Sequence, residues 1–257
     1  MFLLQIHCIQ GGKEFSFETI YSDQSWLWHL RYGHLHFDAL SLLQKKNMVK
    51  GLPQILKPPS SCECCILEKQ HRESFLVGGS YRARAPLELV HTDICGPMQT
   101  PSLGGSIYFL AFIDDFGKKT WTYFLKQKSE AFEKFKEFKT LVENQSGHYT
   151  KILRSDRGGE FSSNEFLELC KFHGIKKHFS TRYTPQKNGV AKRKNRTIME
   201  MARSMLKAKN LSNEFWAEAV ACVVYILNRS PTKSVKNTIP EEAWNGKKHN
   251  VSHFRVF

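Results

Sequence analysis

The chain has 257 residues, room for one large domain and a small one, and its 41% hydrophobic and 12% aromatic content is enough for a true core, which excludes a disordered tail. Its 38 Lys and Arg against 24 Asp and Glu leave a net charge of +14, which favours a polyanionic partner, nucleic acid first and acidic membrane second. The two most apolar stretches exclude a membrane span, because Tyr108 to Ile113 is too short and Trp216 to Leu227 is interrupted by Glu218.

Residues 1–20 are read as an N-terminal extension. MFLLQIHCIQ has no basic lead-in, no long apolar run and no small-residue cleavage site, so it is not a secretory signal; a reducing intracellular compartment, nuclear or cytoplasmic, is expected. Residues 21–71 form a small basic module with histidines at one end and cysteines at the other. His29 is followed after four residues by His34, and after twenty-seven more by Cys62-x-x-Cys65; two His and two Cys suit a tetrahedral, structural Zn²⁺. Residues five apart differ by about 140° around a straight helix, so Gly33 is expected to break the helix and let His34 turn inward. His36 competes, because its seven-residue spacing from His29 lies on one helical face. Cys64 is read as a bystander. A redox CxxC pair is the other reading, against which the paired upstream histidines and the missing thioredoxin-like context argue. A module this small has little core of its own, so zinc loss is expected to unfold it without melting the larger domain.

Residues 72–85 carry Gly78-Gly79 and scattered arginines without an apolar period and read as a linker. In residues 86–257, strands and helices alternate. Leu87 to Ile94, Ser106 to Asp114 and Thr120 to Leu125 read as three strands, the last two joined by the turn Asp115-Phe116-Gly117-Lys118. Ser129 is the expected N-cap of a helix burying Phe132, Phe135, Phe138 and Val142. Lys151 to Ser155 is a fourth strand that delivers Asp156 at its carboxyl end before Gly158-Gly159. Ser163 to Phe172 is a helix on Phe166, Leu169 and Phe172, Lys176 to Ser180 a fifth strand, and Pro185 to Gly189 a turn. Val190 to Lys209 is a helix facing inward with Ile198, Met201 and Met205, and Glu214 to Leu227 another that buries Trp216, Val220, Val223 and Leu227. The pattern is α/β. Between residues 187 and 209, Lys187, Lys192, Arg193, Lys194, Arg196, Arg203, Lys207 and Lys209 face one acid, Glu200. Such a run is either a solvated helix face or a phosphate-binding one.

WLWHLRYGHLHFDAL, the Cys62-Glu63-Cys64-Cys65 cluster, PLELVHTDICGPM, YFLAFIDDFGKKTWTYF, LRSDRGGEF, YTPQKNGVAKRKNRTIMEMARSML and FWAEAVACVVYILNRSPTK occur in this order across nearly the whole chain. Together they resemble the integrase region of a copia-type retrotransposon polyprotein. The resemblance implies a ribonuclease H-like core, a mixed five-stranded sheet with flanking helices, preceded by a small helical HHCC zinc module. It also selects His34, the histidine directly after the glycine, over His36.

The family's chemistry implies Mg²⁺ or Mn²⁺ gathered by three acids, here Asp93, Asp156 and position 192, which thirty-five residues separate from Asp156. Where the family pattern reads Gln-Asn-Gly-Val-Ala-Glu-Arg, this chain has Lys187-Asn188-Gly189-Val190-Ala191-Lys192-Arg193, so the catalytic glutamate is the residue lost. Glu160, Asp114 and Asp115 are read as surface or turn residues. The implied partner is DNA, the donor ends of an element and target duplex alike, contacted with little sequence preference through Lys187, Arg193, Lys194 and Arg196; homo-oligomer formation stays open. The chain is thus read as an integrase-like protein whose strand transfer is impaired at Lys192. An inert zinc- and DNA-binding remnant and a host-recruited DNA-binding protein are the alternatives.

Overall fold

The computed structural model describes residues 24–58, 62, 65, 82–179 and 189–257. In chain order its helices and strands are α1 (Gln24–Arg31), α2 (Phe37–Lys45), β1 (Val90–Cys95), β2 (Tyr108–Asp114), β3 (Thr120–Leu125), α3 (Ala131–Ser146), β4 (Ile152–Ser155), α4 (Gly159–Ser162), α5 (Asn164–Phe172), β5 (Lys176–Phe179), α6 (Gly189–Ala208), α7 (Trp216–Asn228) and α8 (Pro240–Asn245). The strands form one mixed sheet in the order β3-β2-β1-β4-β5. β1 pairs antiparallel with β2 and β2 with β3, whereas β4 is parallel to both β1 and β5.

The period-two alternation of β2 divides the core. Leu110 and Phe112 point to one face, where they pack with Phe135, Phe138 and Val142 of α3, Phe166 of α5 and Leu153 of β4. Phe112 stacks on Phe138 with ring centroids 4.2 Å apart. Phe109 and Ala111 point to the opposite face, under Ile198, Met201 and Met205 of α6 and Trp216, Val220 and Val223 of α7. The Asn228 side chain ties the end of α7 to the edge strand, accepting from Thr120 N at 2.9 Å and donating to Thr120 O at 2.8 Å.

The small N-terminal module does not have a core to itself. Trp28, Tyr32, Leu40, Leu43, Met48, Val49 and Ile55 belong to the same buried cluster as the inward faces of α6 and α7 and the C-terminal Val251 and Phe254. Tyr32 is fully buried against Phe254, with ring centroids 4.9 Å apart. The expectation that this module would melt alone is therefore corrected by its packing: too few apolar residues to close a core by themselves are completed by those of α6 and α7. At Gly33, where φ is +56°, an added Cβ would lie 2.4 Å from Met205 Cε and 3.3 Å from Ile226 Cδ1. Gly33→Ala is expected to destabilise the whole chain by about 1–3 kcal/mol, because Met205 must swing out of a filled core and an L residue is strained at that φ. Chemical denaturation checks this; an unchanged midpoint would mean that the turn is not seated on α6.

Several local expectations differ from the structure. Ser129 lies inside a short 3-10 turn, Lys128–Glu130, and Glu130 Oε1 accepts from Gln127 N at 2.9 Å, so the helix starts beyond it at Ala131. Phe172 is 84% exposed because the inward face of α5 runs through Phe166 and Cys170, four apart, and Phe172 falls off that row. Asp114 and Asp115 are buried rather than superficial: Asp114 accepts from Leu87 N and Gly117 N, and Asp115 accepts from Ala83 N and His91 and pairs with Lys118. These bonds anchor the end of the 72–85 segment to the sheet. Residues 1–20, 72–81 and the 185–188 part of the expected turn lie outside the described residues, as do Cys64 and Lys187. No helix among the described residues is long and apolar enough to cross a membrane.

Candidate functional site

The turn after α1 is built to present two imidazoles. Gly33 and His34 both adopt left-handed φ, +56° and +62°, so α1 stops and His34 folds back, its N–H bonded to His29 O at 2.9 Å. One donor atom from each of His29, His34, Cys62 and Cys65 lies within 4.8 Å of the others. The Cys62 Sγ to His34 Nδ1 distance is 3.4 Å, Cys65 Sγ to His29 Nε2 is 3.6 Å and Cys65 Sγ to His34 Nδ1 is 3.7 Å. Zinc–sulfur and zinc–nitrogen bonds of about 2.3 and 2.05 Å at the tetrahedral angle require S···N edges of about 3.6 Å, so this donor set fits Zn²⁺. His29 Nδ1 donates to the Leu35 carbonyl at 2.8 Å, which fixes the tautomer that frees Nε2. The Cys62 thiol is held far below its ordinary range, first by its hydrogen bond with Cys65 and then by His29 and His34, against the opposing effect of burial. His36 does not join the cluster; its Nδ1 accepts from Ala39 N at 3.2 Å and caps α2.

A second constellation forms where β1, the end of β4 and the first turns of α6 meet. Asp93 is central on β1, opposite Ala111 of β2, and only 7% exposed. Asn195 Nδ2 donates to Asp93 Oδ2 at 3.0 Å. Asp156 follows β4 and accepts from Gly158 N at 3.1 Å through Oδ1. Burial raises the Asp93 carboxyl to about 6, the Asp156 charge adds to the rise, Lys192 and Asn195 oppose it and Glu160 adds a smaller push. Asp156 and Lys192 are therefore each brought within electrostatic range of Asp93. Lys192 itself is exposed in the first turn of α6.

Of two further neighbours of the aspartates, Asn195 was not singled out by the sequence and Glu160 was read as a surface or turn residue. Asn195 is buried beside Asp93, and its Oδ1 has no hydrogen-bond partner among the described residues. Its three-residue spacing from position 192, which puts both on one face of α6, was the available signal. Glu160 is half-buried, and its carboxylate folds over Gly158, where an added Cβ would lie 2.6 Å away. Glu160 thus stands on the same Gly158 that bonds Asp156, a proximity that spacing along an irregular turn does not reveal.

Of the basic residues expected to meet DNA, Arg193 and Arg196 are exposed on α6. Lys194 differs: it is half-buried, and burial together with the nearby Lys118 lowers its amine to about 8. Arg203 and Lys207 extend the exposed basic face.

A mixed five-stranded sheet with helices on both faces and acids converging at β1 and β4, joined to a His₂Cys₂ module, defines an integrase core with an HHCC module. The family model for the GAG-pre-integrase domain matches residues 1–70, and that for the integrase core domain matches residues 83–185. The chain thus carries a GAG-pre-integrase domain followed by an integrase core domain, and it is similar to the Pol polyproteins of copia-type retrotransposons. It is 45% identical over 231 residues to the retrovirus-related Pol polyprotein from transposon TNT 1-94 of Nicotiana tabacum, covering 90% of this chain and 17% of that polyprotein. It is 33% identical to the polyprotein from transposon RE2 of Arabidopsis thaliana, over 90% of this chain and 16% of the relative. The chain thus spans about a sixth of the length of the curated relatives it matches. Among solved structures, the simian T-cell lymphotropic virus intasome in complex with PP2A regulatory subunit B56 gamma aligns with a TM-score of 0.52 and 16% identity, covering 84% of this chain and 72% of that one. That likeness concerns the fold.

Proposed function

We propose that the chain is a zinc-stapled, DNA-binding integrase module in which Mg²⁺-dependent strand transfer is impaired at Lys192. The observation that carries this reading is the lysine within electrostatic range of Asp93, at the position where the family has glutamate. Hard divalent cations select oxygen ligands, and an ammonium group is neither a ligand nor a neutral bystander. Two aspartates beside a cationic side chain do not fit a pair of ions held in register. The residues therefore support binding of nucleic acid and zinc better than they support catalysis. His29, His34, Cys62 and Cys65 would hold the zinc, which staples the turn after α1.

The binding half of the reading rests on the exposed Lys192, Arg193, Arg196, Arg203 and Lys207 of α6. Phosphate contacts by such side chains release condensed counterions and carry little sequence information. Neutralising Arg193 and Arg196 together with glutamine is expected to lower the slope of log affinity against log salt by about 2, close to 0.9 for each lost contact on duplex DNA. Fluorescence anisotropy with a short mixed-sequence duplex measures it. A slope equal to that of the parent protein would return this face to the status of solvated surface.

A further inference from the structure

We infer that the chain carries a second surface for the duplex DNA backbone, away from the first turns of α6, at the seam where residues 45–51 meet residues 247–255. The inference rests on the reading of the chain as a DNA-binding module, but on different residues. Lys50 N donates to His249 O at 2.9 Å and Val251 N to Lys50 O at 2.9 Å, a parallel bridge between segments two hundred residues apart in sequence. Gly51, with φ of +82°, approaches so closely that an added Cβ would lie 2.7 Å from Asn250 Oδ1 and 3.2 Å from Ser252 N. The seam is therefore pinned by main-chain contacts and by the buried Val251 and Phe254 behind it.

This junction gathers cations that are dispersed along the sequence. Lys45, Lys46 and Lys50 come from one side and Lys247, Lys248 and Arg255 from the other, all exposed. Among the described residues none of the six enters an ion pair, whereas Glu241, which lies within electrostatic range of His249 at the seam, is occupied by Lys119 at 2.7 Å and Arg229 at 4.0 Å. Glu242, half-buried on α8, also lies within electrostatic range of His249.

Helix dipoles account for part of the set, since Lys45 lies in the last turn of α2 and Lys46 at its C-cap. They do not account for Lys50, beyond that helix, or for Lys247 and Lys248, which follow the left-handed Gly246 that closes α8. Ordinary protein surfaces intersperse both signs, and like charges held on a fixed seam repel one another until a polyanion screens them. Exposed lysine ammonium groups on flexible stems suit phosphate oxygens, which ask for charge rather than fixed geometry.

The test uses the zinc-loaded full chain and a short mixed-sequence duplex, with Lys50, Lys247 and Lys248 all changed to glutamine and Arg193→Gln/Arg196→Gln as the reference. The seam variant is expected to keep its zinc content and melting temperature while its salt slope falls by about 2 to 3, and combining both sets should lower the slope further. A parent-like slope in the seam variant beside a lowered slope in the reference overturns the second surface and leaves the α6 reading standing. Parent-like slopes in both overturn it together with that reading. Weakened binding to phosphatidylserine vesicles with duplex binding intact overturns it in favour of a lipid surface.

Discussion

Lys192→Glu is expected to raise Mg²⁺-dependent strand transfer from background by two orders of magnitude or more on a donor end matching the element. Position 192 stands in the first turn of α6, one helical step before the Asn195 that bonds Asp93. The substitution changes the local charge by two units and supplies an oxygen ligand. A charge pair about 4 Å apart is worth roughly 1 kcal/mol in water and about 4 kcal/mol at an effective dielectric of 20, and each 1.4 kcal/mol is about tenfold in rate or affinity. Removing a repulsion and adding an attraction is therefore worth about 2 kcal/mol at the first limit and about 8 kcal/mol at the second, and at the effective dielectric of 20 it exceeds a hundredfold. Lys192→Glu combined with Asp156→Asn is the control: activity that persists there does not come from this triad. Robust transfer by the unmodified protein would contradict the impaired reading and make Glu160, beside Asp156 at Gly158, the acid to replace next.

Loss of the zinc ligands is the second large effect. Cys62→Ser is expected to abolish stoichiometric zinc and to lower the melting temperature of the entire chain by about 10 °C, not merely to loosen residues 24–58. The reason is the shared core. Gly33 lies against Met201, Met205 and Ile226, and Tyr32, Leu40 and Leu43 share their buried cluster, so an unravelled module strips the apolar face of α6 and α7. Amide exchange should quicken at residues 198–206 and 216–227 as well as in the module. Chelation should reproduce the effect and added zinc reverse it. Acceleration confined to residues 24–58, with the melting temperature unchanged, would show that the shared cluster contributes no coupling.

The elements of the core were legible because their periodicities are local. β3 spans the residues that alternation predicted, and α6 buries the expected Ile198, Met201 and Met205. The clustering of His29 and His34 with Cys62 and Cys65 was legible because the resemblance and the glycine break at Gly33 point to the same histidine. What sequence spacing could not show are relations made only by tertiary packing. The burial of Asp114 and Asp115 depends on backbone donors from Leu87 and Ala83, on another segment. The fusion of the module with α6 and α7, and the Lys50–Asn250 bridge, join segments with no pattern in common. Lys194 looked like its neighbours on a basic helix; only its burial beside Lys118 separates it from them.

If Lys192 alone breaks an otherwise assembled carboxylate site, calorimetric titration of Mg²⁺ into the zinc-loaded protein reads this without any DNA. The unmodified chain is expected to bind at most one ion weakly. Lys192→Glu should bind markedly more tightly, and Lys192→Glu/Asp156→Asn should lose that gain. Equal Mg²⁺ affinity and stoichiometry in the unmodified chain and in Lys192→Glu would show that Lys192 is not what impairs the site.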